Sequence, residues 1–154
     1  MSYDVWLWGS QILIQNSRDT EVYGNTIEIA AISGNGIGMI EQKRGESHKG
    51  YGPWITRNNN VHHNQIIHLG KHGMNGMVVD YDQKVFWRNN ANRFDRNTYI
   101  VPDARMKLFS NARARSFDGL SRDSVYQGVR IPGHEANGTL TVERRRPTKL
   151  RCGD

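Results

Sequence analysis

The chain has 154 residues, with 21 Lys and Arg against 15 Asp and Glu and a formal charge of +6 at pH 7, a size that bounds it to one domain. No apolar run approaches the roughly 18 residues a membrane span needs, and Met1-Ser2-Tyr3-Asp4-Val5 lacks the basic-then-apolar pattern of a secretory leader. The lone Cys152 excludes a disulfide framework and a multi-cysteine zinc site, while fourteen Asn and sixteen Gly against four Pro make turn residues the dominant signal.

In chain order, apolar residues alternate over short spans: Ile12 and Ile14, Ile27 and Ile29, Ile37 and Met39, Met77 and Val79, Val85 and Trp87. Period two predicts strands. No stretch before Pro102 carries a helical stripe longer than two turns, so crossover helices are not expected. Three segments repeat among these strands, each apolar-x-x-Asn-x-apolar: Val22 to Ile27, Val61 to Ile66 and Phe94 to Tyr99. Their asparagines, Asn25, Asn64 and Asn97, lie 39 and 33 residues apart. A second motif, Asn35-Gly36-Ile37 and Asn75-Gly76-Met77, recurs at a step of 40. Such periods signal a stack of repeating units rather than a mixed fold. A turn asparagine tolerates the left-handed conformation, and its amide both donates and accepts along a stack. Lys43 to Gly52 is polar and Gly-rich and predicts a protruding loop, with His68 to Gly73 a shorter one. Binding surfaces on such stacks are expected on loops of this kind.

After Pro102 the composition changes. Ala104 to Phe109 and Ala112 to Ala114 suggest short helical turns, Leu140 to Val142 a short strand, and Arg144, Arg145, Arg146, Lys149 and Arg151 a solvated basic tail. The expected organisation is repeating units over 1–102, a cap over 103–142 and a tail over 143–154.

Trp6-Leu7-Trp8-Gly9, Ile12 to Asp19, Glu21 to Thr26, Gly34 to Ile37 and Asn89-Asn90 to Asn97-Thr98 resemble the repeats of pectate-lyase-like proteins, over about residues 5 to 101. The resemblance implies an all-β fold, a right-handed parallel β-helix of about three coils with an irregular C-terminal capping segment. It also implies a secreted protein that binds or processes a polysaccharide as a lyase or glycoside hydrolase. Members of that family carry more coils, so the chain reads as the C-terminal portion of a longer β-helix that contacts upstream coils or self-associates. A non-catalytic structural or surface solenoid is the alternative, since one fold hosts many functions.

Sugar chemistry calls for paired carboxylates, or a base with cations that neutralise an acidic sugar. If Ile37 and Met39 align with Met77 and Val79, Ile40 stacks beside Asp80 and Gln42 beside Asp82, with Glu41 on the other face level with Tyr81. Glu41, Asp80 and Asp82 are then the candidate catalytic carboxylates and Arg57 the candidate catalytic cation, with Trp54, Tyr81, Arg44 and Lys84 as candidate substrate contacts. The plain alternative makes Asp80 and Asp82 solvated strand-end residues and Arg57 a surface charge. Trp87 is expected in the core. His62, His63, His68 and His72 lack metal-ligand spacing and read as turn or surface residues, so no metal site is assigned. Calcium is the cation Asp80 and Asp82 would suit as a cofactor, although two oxygens do not complete its shell. The charge suits an acidic polysaccharide partner, and no nucleic-acid motif is present.

Overall fold

The computed structural model describes residues 6–45, 50, 52–80 and 83–148. The strands are β1 (Ser10–Gln15), β2 (Glu21–Tyr23), β3 (Thr26–Ile29), β4 (Asn35–Glu41), β5 (Asn60–His62), β6 (Gln65–His68) and β7 (Asn75–Val79). A helix α1 (Gln83–Asn89) intervenes before β8 (Arg93–Asp95), β9 (Thr98–Val101), β10 (Phe109–Asn111), β11 (Arg113–Arg115), β12 (Ser124–Tyr126), β13 (Val129–Ile131) and β14 (Thr139–Val142). The described chain is mostly strand.

Strands pair with others far along the sequence. One sheet runs β1-β4-β7-β10-β11, a second β14-β9-β6-β3 and a third β2-β5-β8, while β12 and β13 form a separate hairpin. Every neighbouring pair in the first three sheets is parallel except β10 with β11. The registers match the repeat seen in the sequence: Val22 lies opposite Val61 and Val61 opposite Phe94, and likewise Ile27, Ile66 and Tyr99 form one row. Alternate residues of these strands point to a common interior, and Ile27, Ile29, Ile37, Met39, Val61, Ile66, Met77, Phe94 and Tyr99 are buried in one cluster.

Asparagine amides tie the units together. Asn64 Oδ1 accepts from the backbone N–H of Asn25 at 3.1 Å, and Asn97 Oδ1 accepts from that of Asn64 at 3.0 Å. The row ends on Glu135, whose Oε2 accepts from the Asn97 N–H at 3.1 Å and whose Oε1 accepts from Asn97 Nδ2 at 2.7 Å. Asn59 and Asn92 form a second row, Asn59 accepting from Thr20 N–H and Asn92 from Asn59 N–H, both at 3.0 Å. The left-handed residue of each turn, however, is the one before the amide: Gly24, His63 and Arg96 precede Asn25, Asn64 and Asn97, and Asn58 and Ala91 precede Asn59 and Asn92. The ladder asparagines serve as hydrogen-bond bridges, and their neighbours make the bend.

Four sequence expectations are corrected. Gly38 lies opposite Gly76 and Met39 opposite Met77, a step of 38 rather than 40, so Ile40 stands beside Val78 instead of Asp80 and Glu41 beside Val79. The slip leaves the inward set unchanged because side chains alternate with period two. It is set by Asn75 Oδ1, which accepts from Ile37 N–H at 2.9 Å. Val85 and Trp87 lie on helix α1 rather than on a strand. There Phe86 and Trp87, adjacent in sequence, are both buried while Val85 is half exposed, which a strand's alternation does not permit. Residues 109–111 and 113–115 form an antiparallel pair of strands, not helical turns. His68 is neither a turn nor a surface residue: it is fully buried in β6, with Nδ1 3.1 Å from the His72 carbonyl and burial lowering its pKa.

The basic tail is also less free than expected. Glu143 N–H donates to the Val101 carbonyl at 2.8 Å, and a few residues later Thr148 N–H donates to Glu28 Oε2 at 3.1 Å. The intervening chain therefore returns across the outer side of the β9-β6-β3 sheet. Ile67 and Ile100, in register with Glu28 and facing outward, are buried at 5% and 4% exposure. Lys149 and Arg151 lie outside the described residues.

Candidate functional site

Of the carboxylates singled out from the sequence, Glu41 and Asp80 each accept from a backbone N–H of the fold. Glu41 is buried at the end of β4, where Oε2 accepts from Thr56 N–H at 2.5 Å. Asp80 is exposed; its N–H donates to the Glu41 carbonyl at 3.2 Å and its Oδ1 accepts from Lys43 N–H at 3.0 Å. Tyr81 and Asp82 lie outside the described residues. Arg44 donates to the Gln42 amide oxygen, Lys84 is exposed on α1, and Trp54 is exposed on the segment leading to β5. Trp87 is in the core. Among the described residues no cluster of three or more His, Cys, Asp and Glu could hold a metal ion.

Arg57 lines a cavity of about 330 Å³ between α1, the turn that follows it and residues 131–134. Its deeper walls are Met77, Trp87, Asn92, Asn111, Ile131 and His134, all buried. Its mouth carries Arg57 and Arg88, both exposed. The folding of this region explains the composition. The inward row Ile14, Met39, Met77 continues not with another apolar side chain but with Asn111 of β10. Asn111 Nδ2 donates to the Pro132 carbonyl at 3.1 Å, which leaves its Oδ1 without a hydrogen-bond partner.

Two more buried polar atoms on this cavity's residues are likewise unpartnered: Trp87 Nε1 and His134 Nε2. His134 Nδ1 accepts from Phe94 N–H at 3.3 Å, which puts the ring hydrogen on Nε2. Burial, reinforced by the Arg93 guanidinium, lowers the His134 pKa to about 4, so the ring is neutral at pH 7. Asn90 and Asn92 are committed to the fold, Asn90 Oδ1 accepting from Asn92 N–H at 2.8 Å and Asn92 Nδ2 donating to the Thr56 carbonyl at 2.9 Å. The three unpartnered atoms have almost no accessible surface, so the groups this cavity presents to a ligand are the two guanidinium groups at its mouth. No carboxylate lines it among the described residues, and a histidine that already carries its proton on the open nitrogen is a donor, not a base. The arrangement suits binding of an oxygen-rich, negatively charged group rather than acid/base catalysis.

No protein-family model, curated protein or solved structure matches the chain.

Sequence reasoning located Arg57 but missed Arg88, Asn111 and His134. The only trace in the sequence is that Asn111 follows Phe109 at strand spacing, and this becomes a signal once β10 is known to stack on β7.

Proposed function

We propose that the protein is a right-handed parallel β-helix of the pectate-lyase-like kind that binds an acidic polysaccharide. Support for the fold comes from three sheets that each gain one strand per unit, joined by the asparagine rows. The observation that carries binding is the cavity with the exposed Arg57 and Arg88 at its mouth. Guanidinium groups pair with carboxylates through charge-assisted hydrogen bonds, and the charge of +6 attracts a polyanion over longer range. The second reading, a structural solenoid without a ligand, is favoured by the engagement of Glu41 in the fold and by amide rows that serve only cohesion.

Affinity electrophoresis against polyuronates, sulfated glycans and neutral glucans, with and without calcium, tests the proposal. Retardation by an acidic polymer that weakens as salt rises is expected. Joint substitution Arg57→Ala and Arg88→Ala should weaken it by at least about tenfold, since hydrogen bonds between charged groups contribute about 1.5–3 kcal/mol each. Unsaturated, ultraviolet-absorbing products from a polyuronate would add lyase activity to the binding role. Absence of binding to every polymer would leave the structural solenoid.

A further inference from the structure

Among the described residues β1, β2 and β3 each have a strand neighbour on one side only, so one end of the stack exposes backbone donors and acceptors. Natural proteins guard such edges with charge, proline or a bulge. Here β2 carries Glu21 and β3 carries Glu28, but β1, Ser10-Gln11-Ile12-Leu13-Ile14-Gln15, has no charge, proline or glycine. The described residues ahead of β1 turn away from its open side: Leu7 packs on Ile40 and Met74, and the Gly9 carbonyl accepts from Asn35 N–H. Asn16 N–H donates to the Ile40 carbonyl at 3.1 Å, on the β4 side. Alternation along the strand therefore turns the N–H and C=O of Leu13 to the side without a neighbour. The Gln15 carbonyl, on that side too, already accepts from the Ser17 hydroxyl at 3.0 Å. Ile12 and Ile14 face the core, Ile12 only half-buried, while the Leu13 side chain stands outward at 37% exposure.

The order of residues on this edge says what covers it. Gln11-Ile12-Leu13-Ile14-Gln15 reads the same in both directions about Leu13. A two-fold contact needs a surface that complements itself, residue i meeting j while j meets i, and a palindromic edge strand does this in antiparallel pairing. We infer that two copies of the chain pair through β1, antiparallel, across a two-fold axis at Leu13. Leu13 of each copy exchanges both backbone hydrogen bonds with the partner's Leu13. Gln11 stands opposite the partner's Gln15, and Ile12 opposite the partner's Ile14. The two five-stranded sheets become one, and the half-buried Ile12 gains an apolar neighbour that its own chain does not supply. Because both copies use the same edge, the assembly closes at two. At its other end the sheet finishes on β11, which runs antiparallel to β10 and carries Arg113 and Arg115. The pairing does not rest on the polysaccharide reading.

Sedimentation equilibrium of the full chain over a wide concentration range tests this. A monomer–dimer equilibrium with nothing larger is the expected result. Leu13→Lys sets like charges opposite each other at an exposed position and should raise the dissociation constant at least about tenfold, with circular dichroism verifying the fold. Cross-linking gives an independent reading. Paired residues that exchange both bonds in an antiparallel ladder have Cα atoms about 5.5 Å apart, within the reach of a disulfide. With the native cysteine removed by Cys152→Ser, Leu13→Cys should give a covalent dimer on oxidation, and Tyr23→Cys, on β2, should not. A monomer at every concentration, growth beyond the dimer, a dimer indifferent to Leu13→Lys, or cross-linking no better with Leu13→Cys than with Tyr23→Cys would each overturn the inference.

Discussion

Asn97 offers the sharpest test of the amide rows. Its side chain is fully buried and makes four hydrogen bonds: Oδ1 accepts from Asn64 N–H at 3.0 Å and Asn64 Nδ2 at 2.9 Å, and Nδ2 donates to the Val61 carbonyl at 3.0 Å and Glu135 Oε1 at 2.7 Å. Asn97→Ala removes all four, but the losses are unequal. Asn64 Nδ2 keeps the Val22 and His62 carbonyls, and Glu135 Oε1 keeps the Tyr99 hydroxyl. The Asn64 N–H is left open inside the fold, while the Val61 carbonyl keeps its place in the β5-β8 ladder. At about 1–3 kcal/mol for a buried group left open, with the lost bonds to Asn64 Nδ2 and Glu135 added, the expected loss is about 3 kcal/mol, a large part of the 5–15 kcal/mol that holds a typical domain. Urea unfolding followed by tryptophan fluorescence measures it. Asn58→Gly is the control, because Asn58 is exposed, sits in the left-handed conformation that glycine adopts freely, and its amide donates to Asp19 Oδ1 at 2.7 Å; its cost should not exceed about 1 kcal/mol. Asn97→Asp sharpens the test further. It keeps the acceptor but sets a carboxylate against Glu135, so relative to wild type it should lose stability at neutral pH and recover as acid supplies a shared proton. A cost for Asn97→Ala as small as the control's, or a pH-independent difference for Asn97→Asp, would refute the account.

Three further outcomes follow from packing and protonation. The native His134 pKa of about 4 lies below its ordinary 6.5, so between these values the unfolded chain binds more protons. Stability should therefore fall by about 3 kcal/mol as pH drops through that window, and His134→Gln should abolish this component in urea titrations across it. Glu135 opposes the trend: burial raises its pKa despite bonds from Asn97 and Tyr99, and its contribution is full below its ordinary value and lost as pH rises through the raised one. The comparison with His134→Gln isolates the histidine. Gly36→Ala would put a methyl 2.0 Å from Asn75 Oδ1 and 2.9 Å from Ile29 Cδ1, and should cost about 1–3 kcal/mol in thermal melts. Gly119→Ala, with nothing within 4 Å, should be nearly neutral. Deleting the chain from Arg144 onward should uncover Ile67 and Ile100, raise binding of a hydrophobic dye and cost about 2–4 kcal/mol. Unchanged dye binding would mean that other residues cover them.

The asparagine spacing and two-residue alternation were enough to reveal repeated strands and which residues face inward, because both are local: each depends on the periodicity of one strand and the chemistry of one turn. Asn25, Asn64 and Asn97 were visible as equivalents before any pairing was known. Register was not visible, because a slip of two residues preserves every inward side chain, and the choice was made by Asn75 reaching Ile37 N–H across the stack. Helix α1 was hidden by the brevity of Val85-Phe86-Trp87, a run too short to display a helical period. Only the tertiary structure could assemble the cavity. Its residues come from positions near 57, 77, 87 to 92, 111 and 131 to 134, and no local pattern links them. Asn111 ends an apolar row, and His134 lines the same space, because the chain after β10 folds back over the last unit before β14 rejoins β9.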